Sequence, residues 1–165
     1  MAGTYDVVVE IPRGSSNKYE LDEETGQIRL DRVLYSAVHY PVDYGFIPGT
    51  RAEDGDHTDA MVLVSNPTFP GCVLEGRVVG MLWMSDEKGQ DEKILMVAKK
   101  DPLYAHVNSY KDLPPHLLKE IENFFATYKL LEKKETNVGD WDDVAAAIQS
   151  IERAATKYAA EGGHK

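Results

Sequence analysis

The chain has 165 residues, a length that suits one domain with a substantial core. It carries 28 acidic and 18 basic residues, and the net charge of −10 argues against nucleic-acid or anionic-membrane binding, since both depend on cationic side chains. The single cysteine, Cys72, excludes an intrachain disulfide; with no secretory segment and no apolar run of roughly 20 residues, the sequence predicts a cytoplasmic protein.

The first hundred residues are patterned as short strands. "YDVVVEIP" is rich in β-branched residues, and "KYELD" and "QIRLDRVL" alternate around a turn at "EETG". The apolar run "AMVLVS" stops at "NPTFPG", and "VLEGRVVGMLWMSD" follows, with Gly80 as an expected bulge. A hairpin turn around Gly89 then leads to a last strand within "DEKILMVAKKD".

The last third changes to a helical period. An amphipathic helix is predicted to begin at Asp112 or Leu113, with apolar positions at Leu117, Ile121, Phe124, Tyr128 and Leu131. A second helix is predicted from about Asp142. Strands followed by helices predict a single α+β domain over residues 1–165, mainly β, as a small closed barrel with two packed helices.

The stretch "AEDGDHTDAMVLV" places three aspartates at the start of a predicted strand. Asp54 and Asp56 share a side of an extended chain, whereas Asp59 needs a bend before it, for which Gly55 supplies the flexibility. Taken alone the stretch is typical of an exposed acidic turn. The alternative is a cation site, because unpaired carboxylates this close repel each other.

An EF-hand calcium loop does not fit these aspartates. Counted from Asp54, the sixth position is Asp59 instead of glycine, and the twelfth is Ser65 instead of glutamate. What remains is a set of oxygen ligands without a complete cage, which is how Mg²⁺ is usually held.

A second acidic stretch, "SDEKGQDEK", flanks the predicted hairpin turn with Asp86 and Asp91. Lys93 shares a strand face with Asp91 by period 2. The stretch is either an ordinary charged turn or, if it meets the first loop, part of a site for two divalent ions about 4 Å apart that activate a water.

Other candidates are scattered, namely Lys18 and Glu20 on one strand face, Arg32, Tyr40, Tyr44, Tyr128 and Lys129. The tyrosines are also explained by packing, and "DRVLYSAVHYPVDYGFIPGT", which holds two of them, is predicted to be stiff and irregular. Because carboxylates hold metals while cations and phenols bind phosphate oxygens, the joint inventory indicates metal-assisted phosphoryl transfer.

Together these stretches resemble family I soluble inorganic pyrophosphatases. The resemblance covers nearly the whole chain through "VVVEIPRGSSNKYELD", "YPVDYGFIPGT", "EDGDHTDAMVLV", "GMLWMSDEKGQDEKILMV" and "DLPPHLLKEIENFFATYKLLE". It implies a five-stranded OB-like β-barrel with helices packed outside and hydrolysis of pyrophosphate to two phosphates with Mg²⁺. For bacterial members it implies a cytoplasmic hexamer.

The resemblance also implies a role for each matched residue. The implied metal ligands are Asp54, Asp59 and Asp91 for the first ion, Asp59 for the second, Asp86 and Asp91 for magnesium carried by the substrate, and Glu20 as a further contact. Asp56 is the implied proton acceptor from the attacking water. The implied phosphate-binding residues are Lys18, Arg32, Tyr44, Lys93, Tyr128 and Lys129, with Glu10 and Tyr40 in supporting roles.

Two positions depart from the family pattern. His57 and Thr58 stand where proline and an aliphatic residue are usual, and His57 is either a tolerated loop residue or a titratable group beside the metals. A lysine expected after the first helix is supplied by Lys133 or Lys134, or is missing.

Two other functions remain open at this stage. One is a catalytically silent barrel that binds a polyanion or a partner, although the acidic charge and the lack of a basic, aromatic stripe argue against nucleic acid. The other is a related phosphohydrolase that acts on nucleotides or polyphosphate.

Overall fold

The computed structural model describes residues 3–162, so the predicted domain of residues 1–165 extends at both ends beyond the described part. The strands are β1 (Thr4–Ile11), β2 (Asn17–Asp22), β3 (Gln27–Val33), β4 (Asp43–Ile47), β5 (Thr58–Leu63), β6 (Val73–Asp86), β7 (Gly89–Gln90), β8 (Lys93–Ala98) and β9 (Asn137–Asp142). The helices are α1 (Pro115–Thr127) and α2 (Val144–Ala160). Within residues 3–162, no helix is long and apolar enough to cross a membrane.

Five strands close into a ring in the order β1-β4-β5-β8-β6, because β1 also pairs with β6. The β5–β8 pair is parallel and the other pairs of the ring are antiparallel. The β2–β3 hairpin forms a separate two-stranded sheet. The predicted class, mainly β with two C-terminal helices, is confirmed.

The predicted hairpins and the bulge of β6 are present. β6 and β7 pair across the turn that contains Lys88, and the register of β6 against β8 shifts between Val78 and Gly80. A bulge at this position changes which face the following residues occupy. Val78 and Leu82, on either side of the bulge, therefore pack in different core clusters although they are four residues apart.

Three strands were not predicted. β7, of two residues, lies within the hairpin turn expected around Gly89. The segment at residues 43–47, expected to be irregular, forms β4; its Gly45 faces the backbone of β1, where an added Cβ would lie 1.9 Å from the Val8 carbonyl oxygen. β9 is polar and short, so it carries little strand signal, and it forms by pairing with β6.

Both helices begin later than predicted. Tyr110–Asp112 forms a 3₁₀ turn with a capping box from Ser109, which delays α1 to Pro115. Asp143 caps α2, its Oδ1 accepting from the backbone N–H of Val144 at 2.8 Å. The first helix also ends before Leu131, which is 64% exposed and not part of the apolar stripe.

The apolar core divides between the two faces of the sheet. On β5 and β8, Met61 and Leu95 pack toward the cluster that contains α1, whereas the alternate residues pack toward the cluster that contains α2. Asp59 and Lys93, near the start of these strands, lie on the same face as Met61 and Leu95. The α1-facing core therefore ends in charged side chains.

Candidate active site

One cavity of about 330 Å³ brings the predicted site residues together. Its lining includes Glu10, Lys18, Glu20, Arg32, Tyr44, Asp54, Asp56, Asp59, Asp86, Asp91, Lys93, Tyr128 and Lys129. Tyr40 is the predicted residue that does not line it. It lies buried behind the cavity, with its ring 5.4 Å from that of Tyr44 and 4.6 Å from that of Phe124.

The floor of the cavity is built from strand residues around Lys93. Asp59 and Lys93 are direct neighbours in the parallel β5–β8 pair. The Lys93 ammonium is buried and donates to Asp59 Oδ2 at 2.7 Å, Asp91 Oδ2 at 2.8 Å and Tyr44 Oη at 2.7 Å. All three of its donors are therefore satisfied, as a buried charge requires.

The charges of the floor shift one another's pKa values. Burial opposes ionisation of Asp59, but the Lys93 ammonium and the hydrogen bonds around it hold the Asp59 pKa below its usual value. The pKa of Asp91 is raised by burial and by the neighbouring Asp59 carboxylate, although Lys93 opposes the change. The floor thus combines an ionised Asp59, a cationic Lys93 and a carboxyl group that retains its proton more readily.

The first acidic stretch forms a compact turn, residues 51–57, which we call the aspartate loop. Gly55 has a φ of 89°, which an L side chain adopts only at a cost and which produces the bend expected before Asp59. Asp54 Oδ1 accepts from the Asp56 backbone N–H at 3.1 Å, and the Ala52 N–H donates to the Asp56 carbonyl at 2.7 Å. Burial, reinforced by the charges of Asp59 and Asp56, raises the pKa of Asp54, even though the Asp56 N–H opposes it.

The second acidic stretch is the hairpin turn between β6 and β7. Asp86 Oδ1 accepts from the Lys88 backbone N–H at 2.9 Å, which closes the turn. Lys129, which follows α1, has its Nζ 3.7 Å from Asp86 Oδ2 and 3.9 Å from Glu87 Oε1. The turn therefore meets the end of α1 at the cavity.

The β2–β3 hairpin supplies cations and an acidic residue that was not predicted. Lys18 and Arg32 are opposite each other in the pairing, and Asp31 lies 3.2 Å from Lys18 Nζ and 2.7 Å from Arg32 Nη1. Glu132 lies 2.8 Å from Arg32 Nε. Adjacent strand residues point to opposite faces, so spacing carried no signal for Asp31 beside Arg32, and Glu132 is 100 positions further along the chain.

Glu10 joins this hairpin to the ring. Its Oε2 accepts from the backbone N–H of Leu21 on β2 at 2.8 Å. Burial raises the pKa of Glu10 to about 7, against the lowering effect of the Leu21 N–H.

The residues that depart from the family pattern are anchored. The His57 ring stacks on Phe46 at 4.8 Å, its Nδ1 is 2.9 Å from the Thr50 carbonyl, and its Nε2 contacts the Glu23 carboxylate. Thr58 is buried, and its backbone N–H donates to Thr50 Oγ1 at 2.9 Å. His57 is therefore a packed residue of the cavity wall.

Of the two lysines considered after the first helix, Lys134 lines the cavity and Lys133 does not. Lys133 adopts the left-handed conformation, with a φ of 58°, at the end of the 3₁₀ turn Leu130–Glu132. The turn reverses the chain here and places the second lysine at the cavity.

The carboxylates of the cavity suit a divalent cation by their chemistry. Among residues 3–162, no three His, Cys, Asp or Glu side chains are gathered closely enough to hold one metal ion, and Lys93 occupies the space between Asp59 and Asp91. Mutual repulsion nevertheless contributes to the raised pKa values of Asp54 and Asp91. Hard oxygen donors under such repulsion fit Mg²⁺.

Comparisons with known proteins agree along almost the whole chain. A family model described as inorganic pyrophosphatase matches residues 7–159. The chain is 53% identical to an inorganic pyrophosphatase of Methanosarcina mazei, over 92% of this chain and 90% of the relative, and 53% identical to one of Synechocystis, over 95% and 93%. Among solved structures it is similar to the inorganic pyrophosphatase of Thermus thermophilus, with a TM-score of 0.93, 46% identity and coverage of 95% and 92%.

Proposed function

The chain belongs to the inorganic pyrophosphatase family, as its motifs predicted, and on this premise we propose that it hydrolyses pyrophosphate to two orthophosphates with Mg²⁺ as cofactor. The observation that supports this reaction most directly is a cavity in which carboxylates and cations from separate segments converge. Carboxylates hold the cofactor and cations bind the phosphate oxygens, so the lining matches both needs of metal-assisted phosphoryl transfer.

The proposed metal ligands are the carboxylates of the floor and the two turns, namely Glu20, Asp54, Asp59, Asp86 and Asp91. When bound there, Mg²⁺ supplies neutralisation of phosphate charge and a lowered pKa for the attacking water. Asp56 is proposed as the proton acceptor. It is exposed to the cavity, and the aspartate loop keeps it beside Asp54.

The proposed substrate-binding groups surround this carboxylate cluster. They are Lys18, Arg32, Tyr44, Lys93, Tyr128 and Lys129, with Lys134 as an additional cation. Asp31 lies between Lys18 and Arg32 and restricts both side chains. Cations held in place before the substrate arrives need little reorganisation as charge moves onto the leaving phosphate.

The test is phosphate release from pyrophosphate by the purified full chain. We expect two phosphates per pyrophosphate with Mg²⁺ and loss of turnover in excess EDTA. Asp56→Asn should lower kcat by about 10²–10⁴-fold, the usual contribution of a positioned base. The matched control is Asp140→Asn, which removes an exposed carboxylate of β9 outside the cavity and should leave turnover unchanged.

Robust turnover in EDTA, or wild-type turnover by Asp56→Asn, would contradict the proposal. ATP and polyphosphate in the same assay separate a pyrophosphatase from a phosphohydrolase of broader range. A gel shift with single-stranded nucleic acid tests the silent-barrel alternative, for which we expect no binding at a net charge of −10.

We further propose a cytoplasmic homo-oligomer, with six copies as the family resemblance implies. In support, Leu30, Val33 and Tyr35, on and just after β3, are each more than half exposed. A two-stranded sheet is marginally stable alone, so burial against a second copy would stabilise it. Light scattering should give six times the mass of the chain, and a monomer mass would contradict the assembly.

A further inference from the structure

The end of α2 contacts the aspartate loop, although nothing in the proposed chemistry requires that helix. We propose that Arg51, Tyr158 and Glu161 are positioning residues, which fix the aspartate loop in the shape that its carboxylates need. The inference deepens the proposed pyrophosphatase function and rests on it.

Arg51 links the loop to α2 through a buried guanidinium. Its side chain is 5% exposed; Nε donates to Glu161 Oε2 at 2.9 Å and Nη1 donates to the Gly55 carbonyl at 3.1 Å. Glu161 directly follows α2, and the backbone N–H of Arg51 donates to the carbonyl of Ala154 within that helix at 2.9 Å. Since Gly55 is the residue between the two loop aspartates, the guanidinium holds the backbone that joins them.

Tyr158 contacts the residues at both ends of the loop. Its ring centroid lies 5.5 Å from Arg51 Cζ and 6.0 Å from the His57 ring centroid. The guanidinium contact is within the range of a cation–π interaction. One side chain of α2 therefore supports the loop where it begins and where it enters β5.

The contacts matter because the loop has few restraints of its own. Between Arg51 at one end and the anchored His57 at the other, Asp56 is exposed, and the backbone N–H groups of Ala52, Gly55 and Asp56 donate only within the loop. A surface loop held in this way is normally mobile, whereas a displacement of about 1 Å in a reacting group can cost a factor of about 10² in rate. A buried guanidinium that is anchored on a helix restricts this displacement.

The decisive variants are Arg51→Met, which keeps the aliphatic stem, and Arg51→Lys, which keeps the charge but not the paired donors. For Arg51→Met we expect kcat to fall by about 10–100-fold and the KM for pyrophosphate to change by less than about 3-fold. Calorimetry on substrate-free protein should show Mg²⁺ bound about 3–10-fold more weakly, because the ligand Asp54 is less well placed. Hydrogen exchange of residues 51–57 should be faster.

Arg51→Lys should recover only part of these losses. An Arg51→Lys protein with wild-type kcat, Mg²⁺ affinity and loop exchange would assign the effect to charge alone and overturn the inference. Circular dichroism and thermal unfolding establish that each variant is folded.

Glu161→Ala and Tyr158→Leu test the same contacts from the helix side, should Arg51→Met fail to fold. The matched control is Glu75→Ala, because Glu75 pairs with Lys99 at 3.4 Å and is 40% exposed, as is Glu161. We expect Glu161→Ala to speed loop exchange and lower kcat by about 3-fold or more, while Glu75→Ala changes neither.

Hydrogen exchange of the aspartate loop also distinguishes the proposed positioning role from the proposed pyrophosphatase function. If the wild type releases no phosphate from pyrophosphate, the proposed function fails, and exchange in Glu161→Ala against Glu75→Ala still tests the positioning. Exchange equal to wild type in both Arg51→Met and Glu161→Ala would overturn the inference whatever the activity.

Discussion

The floor and the wall of the cavity are held by different means. On the floor, Asp59 and Lys93 are paired near the start of neighbouring strands of a closed ring, so the backbone ladder places them, and the buried Lys93 ammonium holds the Asp59 carboxylate. The wall consists of the aspartate loop and the β2–β3 hairpin, where Asp56 is exposed and Lys18 is half-buried. These segments depend on side-chain contacts from distant elements such as Arg51 with Glu161.

The two regions are therefore expected to respond differently to substitution. A buried ion network couples stability to function, because removing one charge leaves its partners unpaired. In a solvated wall, stability and function are less coupled. Exposed ion pairs contribute little to stability, while their positions still matter for chemistry. Three experiments test this contrast.

The largest effect is expected from Lys93→Met on the floor. It should lower kcat/KM by about 10³-fold and the unfolding free energy of the metal-free protein by about 3 kcal/mol, since Asp59 loses its buried counter-charge. Lys18→Met on the wall should reduce activity but change stability by less than about 0.5 kcal/mol. Urea unfolding in EDTA measures the stability of the two variants, and phosphate release measures their activity. Equal losses of stability in Lys93→Met and Lys18→Met would contradict the difference between floor and wall.

An intermediate effect is expected from a methyl group added at Gly45 on β4, next to the floor residue Tyr44. Gly45→Ala forces Cβ to within 1.9 Å of the Val8 carbonyl oxygen, so β1 and β4 must separate, at about 3 kcal/mol. Gly55→Ala on the wall meets no atom within 4 Å, and its φ of 89° costs about 1 kcal/mol. Thermal unfolding of the two variants gives the ranking, and the reverse order would show that the ring tolerates strand separation.

The smallest effect concerns Glu10, at the junction of floor and wall. Its folded pKa of about 7 lies above its ordinary value of 4.5, so the folded state binds the proton more tightly than the unfolded chain. The resulting stabilisation is complete below about pH 4.5 and is lost as pH rises to about 7, a change of about 1–3 kcal/mol. Glu10→Gln should remove this part of the pH dependence, measured by urea unfolding in EDTA; an unchanged profile would contradict the shift.

The sequence predicted those parts of the fold that depend on local pattern. Alternation and turn residues located β2, β3, β5, β6 and β8, and the apolar stripe located α1. β4 was missed because it contains Gly45, a residue with low strand propensity that is needed for the close approach of β1. β9 was missed because its sequence is polar, and it forms through its pairing with β6.

The site followed the same division. The residues that the matched motifs identified line one cavity, with the exception of Tyr40, which lies behind it. Asp31 and Arg51 were not predicted. Alternation along a strand assigns Asp31 and Arg32 to different faces, and Glu161, the partner of Arg51, is 110 positions further along the chain.

The sequence by itself determined the family and the chemical inventory, because these depend on residue types and short spacings. Only the tertiary structure decided that Lys93 lies between Asp59 and Asp91, and that α2 holds the aspartate loop. Those contacts exist because the ring closes and the helices pack on its faces. Distances between residues far apart in the chain are set by that closure and not by their spacing in sequence.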